Sequence, residues 1–91
     1  MTIQIEIPAI MRRFAAQQQS VGVEAADLDT ALRELVSKHP RMRAHLFDAH
    51  GDLRRIVNVF VNGNHVRWHE RANTKLEPGD SLCLVPLFAG G

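Results

Sequence analysis

The segment that decides the fold is residues 76–91, which read Leu-Glu-Pro-Gly-Asp-Ser-Leu-Cys-Leu-Val-Pro-Leu-Phe-Ala-Gly-Gly. Residues 77–80 form a tight-turn signal, because proline fixes φ and glycine supplies a positive φ. The turn leads into an apolar run, residues 81–87, which is predicted to be a β-strand. Beyond it stand Gly90 and Gly91, which have no Cβ to obstruct a close approach of the backbone to a ligand.

Strand signals also open the chain. Residues 2–7 alternate apolar and polar side chains, which puts every second residue on one face of a strand: Ile3, Ile5 and Ile7. Pro8 ends this strand, because proline has no N–H to donate to a β-ladder. A second alternation at Val21 and Val23 predicts a strand that pairs antiparallel with the first, as a hairpin.

The period changes to that of a helix after Asp27. Apolar residues recur with the spacing of one helix face, at Leu28, Ala31, Leu32, Leu35 and Val36. The Asp27 carboxylate is suited to accept hydrogen bonds from N–H groups of the first turn, and Pro40 stops the helix. The sequence therefore predicts one amphipathic helix.

A second hairpin follows the helix. Residues 41–52 are predicted to form a short helical turn and a loop, whose apolar residues close the edge of the core: Met42, Leu46 and Phe47. Residues 56–61 are rich in β-branched side chains and run into the tight-turn pair Asn62-Gly63. Residues 65–68 are predicted to return as the partner strand.

The predicted order of elements is β-β-α-β-β-β. A chain of 91 residues has room for one domain with a single core. One helix among four or five strands predicts the α+β class, with the helix packed across one face of a mixed four- to five-stranded sheet.

Composition argues against several classes of protein. The apolar fraction of 45% with 23% charged residues is typical of an ordered globular domain. A formal net charge of +1 gives no general attraction to nucleic acid or to an acidic membrane. No apolar run approaches the ~20 residues that cross a bilayer. Since Cys83 has no partner for an internal disulfide and no signal segment precedes the first strand, we expect a cytoplasmic protein with neither nucleic-acid nor membrane partners.

This order of elements, with a Pro-Gly-Asp turn before the final strand and Gly-Gly at residues 90–91, resembles the ubiquitin-like β-grasp proteins. Within them it resembles most the MoaD/ThiS family of prokaryotic sulfur carriers, through residues 59–63, 76–82 and 85–91. The long segment 41–55 is similar to that of carriers for cysteine or siderophore-type sulfur biosynthesis, or of the longer molybdopterin-synthase small subunits. The resemblance implies a β-grasp domain, residues 1–87, and a flexible tail, residues 88–91.

The resemblance also implies a reaction at the tail. An adenylating enzyme of the ubiquitin-activating type would use ATP to activate the Gly91 carboxylate, and sulfur from a sulfide or persulfide would convert it to a thiocarboxylate. A second, biosynthetic enzyme would then accept that sulfur. Gly91 is the expected reacting residue and Gly90 provides clearance in the enzyme's channel. The chain would be a protein co-substrate with no bound cofactor, rather than an enzyme.

Docking residues are expected next to the tail. Alternation along the last strand leaves apolar side chains on both faces, which is more than a one-sided sheet needs. We expect a partner-binding patch of Phe60, Val85, Leu87 and Phe88. Ordinary packing against the edge of the sheet or against residues 41–55 is the alternative for these four.

Other reactive or charged residues have plainer interpretations. Cys83 is expected to be a small buried apolar residue, and the spacing of His65 and His69 does not converge on a metal in a strand, so no metal site is predicted. Trp68 is expected to cover an edge of the core. Four arginines either lie around the tail or an acidic partner, or serve solubility: Arg12, Arg13, Arg67 and Arg71.

Two functions compete with the sulfur carrier. The same activated carboxylate would serve a protein modifier joined to lysine amines, and a β-grasp domain with incidental glycines would serve as an interaction module. An independent enzyme is disfavoured, because no nucleophile and base converge and no phosphate-binding loop or metal-spaced Cys/His set is present.

Overall fold

A computed structural model of the chain describes residues 2–86. It contains five strands, one long helix, one short helix and three 3₁₀ helices. The strands are β1 Thr2–Glu6, β2 Ser20–Glu24, β3 Val57–Val61, β4 Asn64–Val66 and β5 Ser81–Pro86, and the helices are α1 Leu28–Lys38 and α2 Arg43–Leu46. The first, second and third 3₁₀ helices are Ala9–Phe14, Pro40–Met42 and Trp68–Asn73.

The strands form one five-stranded mixed sheet in the order β2-β1-β5-β3-β4. β1 pairs antiparallel with β2, and β3 with β4, so both predicted hairpins are confirmed. β5 lies at the centre of the sheet, parallel to β1 on one side and antiparallel to β3 on the other. The strand that leads to the tail is therefore held by neighbours along both edges. The sheet and its helix confirm the predicted α+β, β-grasp architecture.

One face of the sheet is covered by α1. The side chains that alternate inward along the strands are almost completely buried, and they include Ile3, Ile5, Val23, Val59, Leu82 and Leu84. The five apolar residues predicted for the helix face are all buried as well. Asp27 caps the helix as expected, since its carboxylate accepts a hydrogen bond from the Thr30 N–H at 2.7 Å. No helix within residues 2–86 is long and apolar enough to span a bilayer.

The connection between α1 and β3 completes the core. The second 3₁₀ helix and α2 form the short helical turn that the sequence predicted, so the chain has a short second helix besides α1. Met42, Leu46 and Phe47 are each 4% exposed or less and belong to the same apolar cluster as the sheet. The prediction that these three residues close the core is confirmed.

The two tight turns at one end of the sheet are joined to each other. Asn62 and Gly63 both have positive φ, as does Gly79 in the second turn. The Asp80 carboxylate accepts hydrogen bonds from the Glu77 N–H at 2.8 Å and the Asn62 amide at 2.9 Å. These hydrogen bonds, the first of them the largest cause, lower the pKa of the Asp80 carboxyl. These hydrogen bonds hold the turn that precedes β5 against the turn between β3 and β4.

The prediction of a strand over residues 65–68 is wrong at the C-terminal end of that strand. β4 stops at Val66, opposite Val59, and Trp68 begins the third 3₁₀ helix. Beyond that point β3 has no strand on this side, and the Val57 carbonyl accepts a hydrogen bond from the Arg71 guanidinium instead. A side chain thus replaces the missing backbone donor, which a pattern of apolar residues cannot reveal.

Candidate functional site

The outer face of the sheet, opposite α1, carries a row of side chains across its middle. The strand registers place Glu6 beside Cys83, Cys83 beside Phe60 and Phe60 beside His65. The rings of Phe60 and His65 are 5.3 Å apart between centroids. Val85 lies one step further along β5 on the same face. The row thus crosses β5, the strand that precedes residues 87–91, at Cys83.

An open groove of about 640 Å³ lies where β5 extends past the end of β1. One wall is the end of β5, and the other is the first 3₁₀ helix and the residues before it. Its lining residues are Glu6, Ile7, Pro8, Ala9, Ile10, Arg12, Gln19, Ser20, Cys83, Leu84, Val85 and Pro86. Because Pro86 is the last described residue, we name this feature the exit groove.

The predicted docking residues fall into two sets. Phe60 is half-buried and Val85 is 39% exposed, and neither belongs to the apolar core. Leu87, Phe88, Gly90 and Gly91 lie outside the described residues, as do the tail 88–91 and the end of the predicted strand 81–87. The docking role of Phe60, Val85, Leu87 and Phe88 stays a prediction. Ile10, 55% exposed in the exit groove, was missed by the sequence analysis. The apolar residues directly after Pro8 were the available signal.

Cys83 is not the buried apolar residue that the sequence predicted. It is partly exposed on the outer face, because β5 alternates and its inward positions are taken by Leu82 and Leu84. Burial raises the pKa of the Cys83 thiol, and the charge and hydrogen bond of the neighbouring Glu6 raise it further. A raised pKa keeps the group a thiol at neutral pH, and thiols are poor nucleophiles. Cys83 is therefore an unreactive cysteine, and it lies on β5, the strand that precedes the tail.

Replacing Glu6 with Gln is expected to make Cys83 more reactive. Loss of the negative charge lowers the pKa of the thiol, so the thiolate fraction below that pKa increases. We expect alkylation by iodoacetamide at pH 8 to become about two- to threefold faster, measured by intact mass. Glu34→Gln, on the exposed side of α1, is the matched control and should leave the rate unchanged. Equal alkylation rates in wild type, Glu6→Gln and Glu34→Gln would show that Glu6 does not raise the pKa of the Cys83 thiol.

The four arginines have different environments. Arg71 is buried and donates to the Arg54 and Val57 carbonyls, so neither the tail nor solubility explains it. Arg12 lies in the exit groove, where its Nε donates to the Ile7 carbonyl at 3.0 Å. Arg13 is exposed beside the Phe14 ring, and Arg67 is exposed at the start of the third 3₁₀ helix.

Trp68 and His65 each lie beside a polar side chain. Trp68 is 49% exposed, and the Arg55 guanidinium lies 4.1 Å from the centroid of its ring. Trp68 therefore does not simply cover an edge of the core. His65 approaches the Asn58 side chain at 3.2 Å. Within residues 2–86, no group of three or more His, Cys, Asp or Glu side chains is placed to hold a metal ion.

The described residues define a β-grasp domain whose central strand precedes Gly90 and Gly91 in the sequence. Comparison with known proteins gives the particular family. The sequence model of the ThiS family matches residues 5–91, so the chain belongs to the ThiS family.

Full-length relatives agree with this assignment. The chain is 31% identical over 93 residues to the sulfur carrier protein CysO of Mycobacterium tuberculosis strain H37Rv, with 100% of both chains covered. It is 26% identical over 91 residues to a putative sulfur carrier protein of Archaeoglobus fulgidus, again with 100% of both chains covered. The chain is therefore a sulfur carrier protein of the CysO and ThiS type.

Solved structures show the same fold. CysO in the Amycolatopsis orientalis BexX/CysO complex matches with a TM-score of 0.85 and 29% identity, covering 98% of this chain and 99% of that one. Small archaeal modifier protein 1 of Haloferax volcanii matches with a TM-score of 0.83 and 26% identity, covering 96% and 98%. Both similarities extend over nearly the whole domain.

Proposed function

We propose that the carboxylate of Gly91 is the group that carries the sulfur. An adenylating enzyme joins this carboxylate to AMP from ATP and releases pyrophosphate. Hydrosulfide then attacks the acyl carbon, the C–S bond forms, and the bond to the AMP oxygen breaks with AMP as the leaving group. After loss of the S–H proton, the product is a thiocarboxylate, which a biosynthetic enzyme uses as its sulfur donor.

The observation that carries this proposal is the position of β5. It is the central strand, paired along both edges, and it ends at an open groove from which only five residues lead to Gly91. The family match runs through residue 91. A carboxylate on a short arm that ends in two glycines reaches a buried active site while the folded body stays outside.

Two kinds of partner follow from this chemistry. The Amycolatopsis orientalis protein forms a complex with BexX, which supports a partner of the biosynthetic class for this chain. The adenylating enzyme is the second partner, and since it consumes ATP, we place the carrier in the cytoplasm. Phe60, Val85, Leu87 and Phe88 form the proposed apolar docking patch. ATP belongs to the partner enzyme, and the carrier itself holds no cofactor.

The protein-modifier alternative is less well supported. The structural similarity to small archaeal modifier protein 1 covers the fold, but the curated relatives over the full length are sulfur carriers. Conjugation to lysine amines would leave covalent adducts of the carrier on other proteins. It therefore gives a different product from the same activated carboxylate.

The test is the intact mass of the carrier after incubation with ATP, a sulfide source and a purified adenylating enzyme of the ubiquitin-activating type. We expect a gain equal to the replacement of one oxygen by sulfur, located in the C-terminal peptide. Deletion of Gly91 should abolish the gain. An equal gain in the deletion variant would disprove the role of Gly91, and adducts on lysines without a thiocarboxylate would favour the modifier.

A further inference from the structure

Phe14 lies at the centre of a cluster of cationic side chains outside the proposed apolar docking patch. The Arg13 guanidinium is 5.0 Å from the centroid of its ring, and that of Arg41 is 5.3 Å away. The imidazole of His45 stacks on the same ring, with centroids 4.2 Å apart and the planes inclined by 22°. We call these four residues the Phe14 cluster. It joins the first 3₁₀ helix to the second and to α2.

The two segments that form the Phe14 cluster carry basic residues and no acidic ones. Residues 7–19 and 35–47 contain no Asp or Glu, and they hold five of the eleven Lys and Arg residues of the chain: Arg12, Arg13, Lys38, Arg41 and Arg43. The chain as a whole has a formal charge of only +1, so the positive charge is concentrated on this side. Such a concentration produces a local positive potential despite the small net charge.

Within residues 2–86, three of these arginines have no carboxylate partner: Arg13, Arg41 and Arg43. Within the described part of the chain, the guanidinium groups of Arg13, Arg41 and Arg43 have no carboxylate oxygen within 4.0 Å, whereas Arg33 pairs with Asp29 at 2.8 Å. Arg13 and Arg41 share one ring, so their charges lie no more than about 10 Å apart, on the order of a Debye length. An anionic surface placed over two like charges this close together offsets the repulsion between them.

The cluster is next to the exit groove. Arg12, which precedes Arg13, lines that groove, and the first 3₁₀ helix forms one wall of it. Five residues follow Pro86, and at about 3.3–3.6 Å per residue Gly91 lies within about 18 Å of it. An enzyme that holds Gly91 in its active site therefore lies within about 18 Å of Pro86 and of the exit groove that Arg12 lines.

We propose that the Phe14 cluster is an electrostatic docking surface for an acidic region of the adenylating enzyme. This inference rests on the proposed function and names the surface that recognises the activating partner. A carrier must be released after activation to deliver its sulfur, so fast association matters more than a long-lived complex. Charged groups at the edge of an interface increase the association rate and make it salt-dependent. Phe14 contributes by holding both guanidinium groups in place through cation–π contacts.

A nucleic acid fits the cluster less well than an acidic protein surface. The Phe14 ring is already covered by His45 and two guanidinium groups, so it offers no free face on which a base can stack. The basic area is also compact and does not follow an extended groove. Its proximity to the proposed reacting carboxylate favours the enzyme that acts there.

The test compares the affinity of carrier variants for the purified adenylating enzyme without ATP, at about 20 mM and about 300 mM salt. We expect the double variant R13Q/R41Q to weaken binding about tenfold at low salt and about twofold at high salt, because screening removes the attraction. R13K/R41K keeps both charges and should retain most of the affinity. R67Q/K75Q removes two exposed charges outside the cluster and is the matched control, expected to change binding less than twofold.

The outcomes separate this inference from the proposed function. If R13Q/R41Q and its control weaken binding equally, or if wild type does not bind the enzyme, the docking surface is wrong. If wild type binds and depends on the cluster but no thiocarboxylate forms with ATP and sulfide, the docking surface stands and the proposed function fails. Binding of a single-stranded oligonucleotide that is lost in R13Q/R41Q, with unchanged enzyme binding, would assign the cluster to nucleic acid. Thermal unfolding of each variant shows whether it is folded.

Discussion

Gly90→Val should lower the rate of thiocarboxylate formation at least about a hundredfold while leaving the stability of the domain unchanged. The two added methyl groups branch at Cβ, next to the carboxylate that must pass through a channel to the adenylating site. A misplacement of about 1 Å at a reacting group costs about a hundredfold in rate. The measurement is the initial rate of thiocarboxylate formation by intact mass, with thermal unfolding as the check on stability.

The matched control is Ala89→Val, which adds the same branching one residue earlier. Ala89 already carries a Cβ, so the control separates added bulk from loss of the glycine. We expect a decrease of about tenfold or less for this variant. A rate for Gly90→Val equal to that of wild type would mean that the tail is not drawn into a narrow channel, and the proposed route to Gly91 would have to be abandoned.

Arg71→Ala is expected to reduce the free energy of unfolding by about 3 kcal/mol. The Arg71 side chain is 8% exposed and donates to the Arg54 carbonyl at 3.1 Å and to the Val57 carbonyl. Without it, the Val57 carbonyl loses its donor on the side where β4 has ended. For a domain of this size the loss corresponds to a decrease in Tm of about 12–24 °C.

An opposing effect limits this loss. Burial lowers the pKa of the Arg71 guanidinium, because the charged form is poorly solvated, and Nε is buried with no hydrogen-bond partner in the described structure. Arg71→Met, which removes the charge but keeps the apolar volume, is therefore expected to lose less than the Ala variant. Arg67→Ala is the exposed control, with a change below about 0.5 kcal/mol. Equal losses for Arg71→Ala and Arg67→Ala would contradict a structural role for Arg71.

The contrast between Arg71 and the apolar residues shows which parts of the structure a sequence can predict. Ile3, Ile5 and Val23 were placed correctly because side-chain alternation depends only on the local backbone. Asp27 was recognised as a helix cap for the same reason, since its partner, the Thr30 N–H, is three residues away. The acceptors of Arg71 are set by where β4 ends and by how the third 3₁₀ helix packs, and neither is a local property.

The same distinction between local patterns and packing applies to the candidate site. The position of β5 in the centre of the sheet was not predicted, because the residue pattern of a strand does not show which strands become its neighbours. Cys83 was assigned to the interior because cysteine is commonly buried, yet strand alternation had already placed it opposite Leu82 and Leu84. The Phe14 cluster brings together residues 13, 41 and 45, whose separation in sequence hides their contact. Only the packing of the first 3₁₀ helix against the second and against α2 brings them around Phe14.

The pairing of β5 with β1 and β3 also has a mechanical consequence. If the residues after Pro86 are pulled along the axis of β5, as the proposed function requires, the force acts on the central strand of the sheet. Cys83 is held by both neighbours, with Glu6 on one side and Phe60 on the other. Residues 84–86 pair only with β3, so such a pull acts first on that ladder and then on the two-sided pairing at Leu82 and Cys83. The domain can thus stay folded while the residues after Pro86 are pulled.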